Sequence, residues 1–379
     1  MSDVPHLRFP EFRGEWEETT LGKISEITKG SGISKDQLSE QGSPCILYGE
    51  LYTKYKSEII GEVYSRTELD SSSLVKSKAN DVIIPCSGET AIDISTARCV
   101  PFNNILLGGD LNIIRLKNDD GGFFAYQLNG VRKTDIARVA QGVSVVHLYG
   151  ENLKQITVYH PAIEEQKKIT RLLSLIDERI ATQNKIIEKL ESLIKSIYDK
   201  ILWQGYKQTS LSEIFDERNE RTTINNQYQV LSSTAKGLYR QSDYFDKEVA
   251  SVNNIGYKVL RLGDIVLSPQ NLWLGNINYN DAFEIGIVSP SYKVFSIRED
   301  YNPYFVSCFL KTPKALYEYA NASEQGASIV RRNLDINAFM AICFPMPERI
   351  IQDKVSERLR AINMKFDIEK QYLLRQMFI

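Results

Sequence analysis

The stretch "HPAIEEQKKITRLLSLIDERIATQNKII", residues 160–187, indicates the architecture of the chain, because a second stretch with a similar pattern of residues follows it. Residues 344–369 read "FPMPERIIQDKVSERLRAINMKFDIE". Each stretch has prolines, then charged residues and a glutamine, and then apolar residues at regular steps. Two such segments about 185 residues apart, each preceded by enough sequence for a globular domain, indicate a tandem repeat.

Other segments recur in the same order. "WEETTLGKISEI" from Trp16 matches "YKQTSLSEIFDE" from Tyr206, and "ANDVIIPCSGET" around Asp81 matches "LGDIVLSPQNLW" around Asp264. "AQGVSVVHLYGENLKQITVYHP" matches "EQGASIVRRNLDINAFMAICFP". Each repeat is therefore a globular part followed by a helix. We expect domains at 1–162 and 204–346, a central helix at 163–203 and a C-terminal helix at 347–379.

The two helices carry the sharpest periodicity. Steps of four and three residues alternate, which is the 3.5-residue repeat of a coiled-coil seam. The first stripe consists of Ile169, Leu173, Ile176, Ile180, Gln183, Ile187, Leu190, Ile194, Ile197 and Ile201, and the second of Val355, Leu359, Ile362, Phe366, Glu369 and Leu373. Gln183 and Glu369 hold the same slot. The match favours antiparallel pairing of the helices over separate packing on two domains, and the first helix would span roughly 58 Å.

Short β-branched runs dominate the globular parts, among them "DVIIP", "LNIIRL", "DIVLSP" and "SYKVFSI". Gly, Pro, Asn and Ser bound these runs, as expected for strands. The clearest helical stretch is "PYFVSCFLKTPKALYEYA" from Pro303. The predicted fold class is mixed α/β (α+β), with two pseudo-twofold-related globular domains separated by an antiparallel coiled coil of two long helices.

Composition bounds the function classes. The chain is 42% hydrophobic and 25% charged, as in an ordinary globular protein. The five cysteines form no CxxC pair, so reduced thiols and a cytoplasmic location are expected. A net charge of −2 gives no overall signature of a nucleic-acid binder. DNA binding would therefore require basic residues gathered on one face, or a partner that neutralises phosphates.

The order, spacing and duplication of these motifs resemble the DNA specificity (S) subunit of type I restriction–modification systems. The resemblance rests on "LRFPEFRGEWEETTLGKISEI", on the blocks Gln141–Gln166 and Gln325–Gln352, and on the two heptad helices. It implies two domains that each read half of a split, asymmetric DNA site. It also implies that the helices separate the half-sites and bind two methyltransferase (M) subunits. Restriction (R) subunits would then join this complex.

Catalytic chemistry is not indicated. The chain has no P-loop and no GxGxxG motif, and "KGSGISK" from Lys29 has the wrong spacing. His6, His147 and His160 lack metal-ligand spacing, so neither a metal nor a cofactor is expected. "NPYF" at Asn302 is reminiscent of the turn that holds a flipped adenine in adenine methyltransferases. Its single proline and the amphipathic run after it favour a helix start instead.

Three loops recur in both repeats and carry side chains suited to phosphates and base edges. In the first repeat the candidate DNA-binding residues are Lys29, Ser31, Lys35, Lys54, Lys56, Ser87, Thr90, Gln141 and Ser144. In the second repeat they are Arg218, Arg221, Lys236, Arg240, Gln270, Asn271, Trp273, Ser328, Arg331 and Arg332. The pairs Gln270–Asn271 and Arg331–Arg332 are the strongest candidates, whereas Trp273 suits a core position equally well.

Apolar residues off the main seam indicate a further helical partner. Leu172, Ile186 and Leu193 occupy such positions, and we expect an M subunit to pack there. An alternative from another functional class is a structural adaptor, in which the paired helices hold two protein-binding heads and no DNA is recognised. A self-contained methyltransferase is disfavoured because no cofactor loop is recognisable.

Overall fold

A computed structural model describes residues 8–142, 144–244, 253–325 and 331–377. The chain divides into two compact units, Met1–Thr182 (unit 1) and Gln183–Ile379 (unit 2). Within the described ranges, no helix combines the length and apolar character needed to cross a membrane. The mixed α/β fold class is confirmed in both units.

The described residues of unit 1 form eleven strands and six helices before the first long helix. They are β1 (Glu17–Thr20), α1 (Leu21–Ile24), β2 (Ser25–Lys29), β3 (Ser43–Ile46), α2 (Glu50–Thr53), β4 (Ser65–Thr67), β5 (Asp81–Pro85), β6 (Ser87–Gly88), α3 (Ala91–Ile94), β7 (Arg98–Val100), β8 (Leu106–Leu107), β9 (Leu111–Leu116), α4 (Gly121–Asn129), α5 (Lys133–Val139), β10 (Val146–His147), α6 (Gly150–Lys154) and β11 (Thr157–His160). A 3₁₀ turn, Lys35–Gln37, follows β2.

A four-stranded antiparallel sheet in the order β2-β9-β5-β7 forms the centre of unit 1. Alternate side chains of a strand point to opposite faces. Val82 and Ile84 accordingly pack on the cluster that contains Phe124 of α4. Ile83 packs on the opposite cluster, which contains Leu51 of α2. The sheet is buried on both faces, which explains why Val82, Ile83 and Ile84 form an uninterrupted apolar run.

Unit 2 repeats this plan. After the long helix α7 (Ile163–Trp203) come β12 (Gln208–Ser210), α8 (Leu211–Ile214), β13 (Phe215–Glu217), β14 (Leu231–Thr234), β15 (Gly237–Arg240), α9 (Gln241–Tyr244), β16 (Lys258–Arg261), β17 (Ile265–Leu267), β18 (Ile277–Tyr279), β19 (Ile285–Val288), β20 (Lys293–Ile297), α10 (Pro303–Phe309), α11 (Pro313–Asn321), β21 (Ser323–Gln325), β22 (Arg332–Leu334), α12 (Ile336–Met340), β23 (Cys343–Pro345) and α13 (Arg349–Met377). A 3₁₀ turn, Leu272–Leu274, follows β17.

The central sheet of unit 2 has the order β13-β20-β17-β18. Ile265 and Leu267 face the cluster that contains Phe305 of α10. Val266 faces the other side of the sheet, where it packs near Val294 of β20. The alternation of Val82, Ile83 and Ile84 in unit 1 is thus reproduced in unit 2.

The helical stretch from Pro303 is two helices rather than one. Asn302 caps α10 by accepting a hydrogen bond from Phe305 N at 2.9 Å, which confirms "NPYF" as a helix start. The helix ends near Leu310, and Thr312 caps α11 with Pro313 in its first turn. Proline lacks an N–H and disfavours helical geometry in the residue before it, so the break falls there.

The second half of α7 pairs with α13 inside unit 2. The Gln183 amide donates hydrogen bonds to the carboxylate of Glu369 and, at 3.2 Å, to its backbone oxygen. Ile197 and Ile201, further along α7, share an apolar cluster with Val355, which is earlier in α13. The two helices therefore run antiparallel, and the polar residues predicted at the same slot of the repeat, Gln183 and Glu369, contact each other. Every residue of both predicted stripes is buried or half-buried.

The start of α7 is tied to the globular part of unit 1 through Gln166, which is 1% exposed. Its Oε1 accepts a hydrogen bond from Asp120 N at 2.9 Å, and its Nε2 donates to Pro161 O at 2.9 Å. Asp120 is the N-cap of α4, and its Oδ1 also accepts a hydrogen bond from Thr170 Oγ1 at 2.6 Å. We call Asp120, Pro161, Gln166 and Thr170 hinge 1.

The start of α13 repeats these bonds in unit 2. Gln352 is 2% exposed. Its Oε1 accepts a hydrogen bond from Asn302 N at 2.8 Å, and its Nε2 donates to Pro347 O at 2.8 Å. Ser356 Oγ donates to Asn302 Oδ1 at 3.0 Å. We call Asn302, Pro347, Gln352 and Ser356 hinge 2.

Candidate DNA-reading surfaces

In unit 1 the first two candidate loops leave the same edge of the central sheet. Strand β2 ends at Lys29, opposite Asn112, and β5 ends at Pro85, opposite Leu111. Both partners lie at the start of β9, so the chain leaves β2 and β5 at the same edge of the sheet, one on each side of β9. The backbone bond from Cys86 N to Asp110 O, 2.6 Å long, holds the second loop against this edge.

The third loop joins the second through a short strand pair. Val146 pairs with Gly88 and His147 pairs with Ser87. Gln141 and His147 close the third loop by exchanging two backbone hydrogen bonds, of 2.9 and 2.7 Å. The candidates Gln141 and Ser144 are both exposed on this loop. Two of the three predicted loops thus form one continuous surface next to the sheet edge.

A groove of about 800 Å³ adjoins this edge. Lys35, Lys54 and Asp110 are among the residues that line it, and we call it groove 1. Ser87 Oγ donates a hydrogen bond to Asp110 Oδ2 at 3.2 Å, which links the groove to the second loop. Groove 1 is therefore lined by two ammonium groups, Lys35 and Lys54, and by two carboxylates, Asp110 and the buried Glu50.

Several unit 1 candidates have structural partners. Ser31 Oγ accepts a hydrogen bond from Val75 N at 2.8 Å. Thr90 caps α3 by accepting from Asp93 N at 3.1 Å. Lys54 Nζ lies 2.6 Å from Glu50 Oε1, although its side chain remains 46% exposed. Lys56 is exposed. The lysines therefore remain accessible, whereas Ser31 and Thr90 stabilise the loops that carry them.

In unit 2 the first candidate side chain is engaged inside the domain. The guanidinium of Arg218 forms two hydrogen bonds, of 2.9 and 3.1 Å, with the carboxylate of Asp264. Asp264 is 2% exposed, and burial raises its pKa although Arg218 opposes this effect. In unit 1 the aligned Asp81 is held in the same way by Arg115, at 2.8 and 2.7 Å. This geometry gives Arg218 a structural role.

The second and third loops of unit 2 meet at an arginine–tryptophan stack. Arg332 N donates a hydrogen bond to Gln270 O at 3.1 Å, which joins the loops. The guanidinium of Arg332 lies 4.3 Å from the centre of the Trp273 ring, as in a cation–π contact. Arg331 is exposed beside it. We call Gln270, Asn271, Trp273, Arg331 and Arg332 cluster 2.

The remaining unit 2 candidates lie on other segments. Arg221 is exposed, and its Nη1 donates to Gly256 O at 2.8 Å. Lys236 and Arg240 are exposed on the β14–β15 hairpin. Ser328 lies outside the described residues. Cluster 2 is therefore the densest group of candidates in the described part of unit 2.

Four of the five cysteines are held as protonated thiols by burial. All five are free, and only Cys343 is exposed. Burial raises the pKa of Cys45, Cys86 and Cys308 to about 11 and that of Cys99 to about 12, so these thiols stay protonated near neutral pH. In the described ranges, no group of three or more His, Cys, Asp or Glu could hold a metal ion.

The predicted partner-binding residues on α7 differ in exposure. Leu172 and Leu193 are each 47% exposed, whereas Ile186 is half-buried. The sequence reasoning missed Leu175, which is 44% exposed. It also missed the exposed apolar residues of α13, which are Ile350, Met364, Ile368, Tyr372 and Leu374. Applying the same search for off-seam apolar residues to α13 would have found them.

Comparison with known proteins agrees with this geometry. Residues 13–192 match the family described as the Type I restriction modification DNA specificity domain. A putative type I restriction enzyme MjaX specificity subunit from Methanocaldococcus jannaschii is 25% identical over 58% of this chain. The MjaVIII specificity subunit of the same organism is 23% identical over 66% of the chain. The matched regions span 55% and 57% of those two proteins, so the chain covers about half the length of these relatives.

The fold has a solved counterpart over almost its whole length. The type I restriction–modification S subunit from M. genitalium superposes with a TM-score of 0.63 and 16% identity. The superposition covers 99% of this chain and 96% of that one. Residues 13–192 therefore belong to the type I restriction modification DNA specificity domain family, and the chain as a whole resembles type I specificity subunits in both sequence and fold.

Proposed function

We propose that this chain is a DNA sequence-specificity subunit that recognises a bipartite, asymmetric DNA site. The observation that carries the proposal is the duplicated sheet edge, where loops that follow equivalent strands come together in each unit. The two edges present different side chains, so two different half-sites are expected. Membership of residues 13–192 in the specificity domain family supports DNA as the ligand.

Recruitment of methyltransferase and restriction subunits is the second part of the proposal. The chain itself would be non-catalytic and would place those subunits on DNA. Exposed apolar side chains along α7 and α13, such as Leu172, Leu193 and Tyr372, support helical partners, because large apolar groups on a long helix are typical of interfaces. The domain boundaries expected at residues 162, 203 and 346 belong to the same proposal.

Methylation mapping tests both parts. The chain is co-expressed with its candidate methyltransferase subunit in a host that lacks other DNA methylation, and modified bases are mapped across the genome. A split, asymmetric motif that disappears when this chain is omitted supports the proposal. Absence of any sequence-specific methylation from an assembled complex that also fails to bind DNA would contradict it and favour the protein-binding adaptor.

A further inference from the structure

We propose that Gln166 and Gln352 are positioning residues that set the permitted distance between the two DNA half-sites. The inference rests on the proposed function and adds a mechanism for its geometry. Both glutamines lie in the first turns of the helices that follow the globular parts. Neither lies on a reading surface, so any effect on DNA specificity must be transmitted through the fold.

The two hinges share three equivalent hydrogen bonds. In each hinge one amide oxygen accepts from the N–H of a helix cap, and the amide nitrogen donates to a proline carbonyl. A hydroxyl one helical turn later donates to the side chain of that same cap. The cap residue differs, Asp120 in one unit and Asn302 in the other, but these three bonds recur in both. Hinge 1 has one bond more, from Gln166 Nε2 to Asp119 Oδ1 at 2.8 Å.

Each hinge joins two elements at an angle that the helix alone cannot fix. A single connecting strand can pivot, because φ and ψ of its last residues are soft dihedrals. The glutamine adds a contact to the start of α4 or α10, which is far away along the sequence. Since Gln166 and Gln352 are almost fully buried, losing either hydrogen bond would leave an unsatisfied polar group, so the native angle is strongly preferred.

A small change of angle at a hinge displaces the far end of the helix by a large distance. Helix α13 has 29 residues and is therefore about 44 Å long at about 1.5 Å per residue. A pivot of about 5° at its first turn moves its far end by about 4 Å. This displacement is close to the rise of one base pair, about 3.4 Å. Small losses of hinge rigidity are thus large enough to admit a site whose spacer is one base pair longer or shorter.

The test uses the full chain assembled with its methyltransferase subunits. Substrates carry the two native half-sites separated by the native spacer or by one base pair more or fewer. The variants are Gln166→Met and Gln352→Met, which keep side-chain length and remove every hydrogen bond of the amide group. Lys167→Ala and Lys354→Ala change exposed neighbours on the same helices and serve as matched controls.

We expect each methionine variant to lower the preference for the native spacer at least tenfold while both half-site sequences stay unchanged. The controls should keep the wild-type preference. Ser356→Ala and Thr170→Val remove one hinge bond each, and a smaller loss of preference, about threefold, is expected from them. If a methionine variant does not assemble, the spacer preference of Ser356→Ala and Thr170→Val tests the inference in its place.

Assembled variants that melt at lower temperature but keep the wild-type spacer preference would overturn the inference, since the glutamines would then be merely structural. A change in half-site sequence with an unchanged spacer would overturn it as well. A wild-type complex that methylates no bipartite motif is a different result, because it refutes the proposed function before any hinge variant is examined.

Discussion

In unit 1 the loop after β2 and the segment around α2 line a groove that carries Lys35, Lys54 and Asp110, whereas in unit 2 the second and third loops carry Arg332 stacked on Trp273. The sheets beneath them have equivalent orders and equivalent buried residues. The buried sheets of the two units are therefore alike, whereas the side chains exposed on the loops at their edges differ. In a protein that reads two half-sites, this separation allows one site to change without loss of fold.

The largest expected effect is a loss of stability when the buried ion pair beside the central sheet of unit 2 is broken. Arg218→Ala leaves the buried carboxylate of Asp264 without its bidentate partner, and we expect a loss of about 3 kcal/mol in the unfolding free energy of unit 2. Hydrogen exchange of the β13 and β17 amides would measure the loss. Arg115→Ala should produce the matching loss in unit 1. An Arg218→Ala protein with unchanged protection but weaker DNA binding would instead favour the sequence-based prediction of DNA contact.

The next prediction separates the two reading surfaces. Arg332→Ala should relax specificity at one base pair of one half-site by about 1–3 kcal/mol, since an arginine reads guanine through two hydrogen bonds. Arg332→Lys should restore little, because an ammonium lacks the planar fork. Methylation of a library with randomised half-sites gives the measurement, and Lys314→Ala, at an exposed position of unit 2, is the control. Changes in the half-site read by unit 1 would contradict the separation.

A smaller effect is expected at the polar slot of the paired helices. Gln183→Leu places the Glu369 carboxylate against an apolar side chain and should cost about 1–2 kcal/mol. The double variant with Glu369→Leu should recover this loss or exceed wild-type stability, because two apolar residues then meet in the seam. Thermal unfolding of the single and double variants completes the cycle. Additive losses would show that the two side chains do not interact.

The sequence predicted those features whose determinants are close together in the chain. The 3.5-residue stripe identifies the paired faces of α7 and α13, and "NPYF" contains both the cap and the proline of α10. It could not predict contacts between residues distant in sequence. Asp81 and Asp264 align, yet their arginine partners come from different strands, Arg115 on β9 and Arg218 just after β13. The same limit hides the hinges, whose glutamines bond to caps some fifty residues away.

The smallest effect belongs to a pair that unit 1 has and unit 2 lacks. His160 Nδ1 lies 2.9 Å from Asp119 Oδ1 beside hinge 1, whereas the aligned residue of unit 2 is Phe344. The hydrogen bond to Asp119 raises the pKa of His160 above its ordinary 6.5, although burial opposes it. Burial pushes the pKa of Asp119 up, but bonds from His160 and Gln166 outweigh this and leave it below 3.8.

These shifts fix the sign of the pH dependence. The contribution of His160 is fully present below about pH 6.5 and is lost as pH rises through its raised pKa. The contribution of Asp119 is present above about pH 3.8 and is lost as pH falls through its lowered pKa. The unfolding free energy of unit 1 should therefore be higher by about 0.5–1 kcal/mol between about pH 3.8 and about pH 6.5. The buried His160 Nε2, without a partner among the described residues, keeps this gain small. His160→Asn should abolish it in hydrogen exchange of β11, and the β23 amides of unit 2 should not respond.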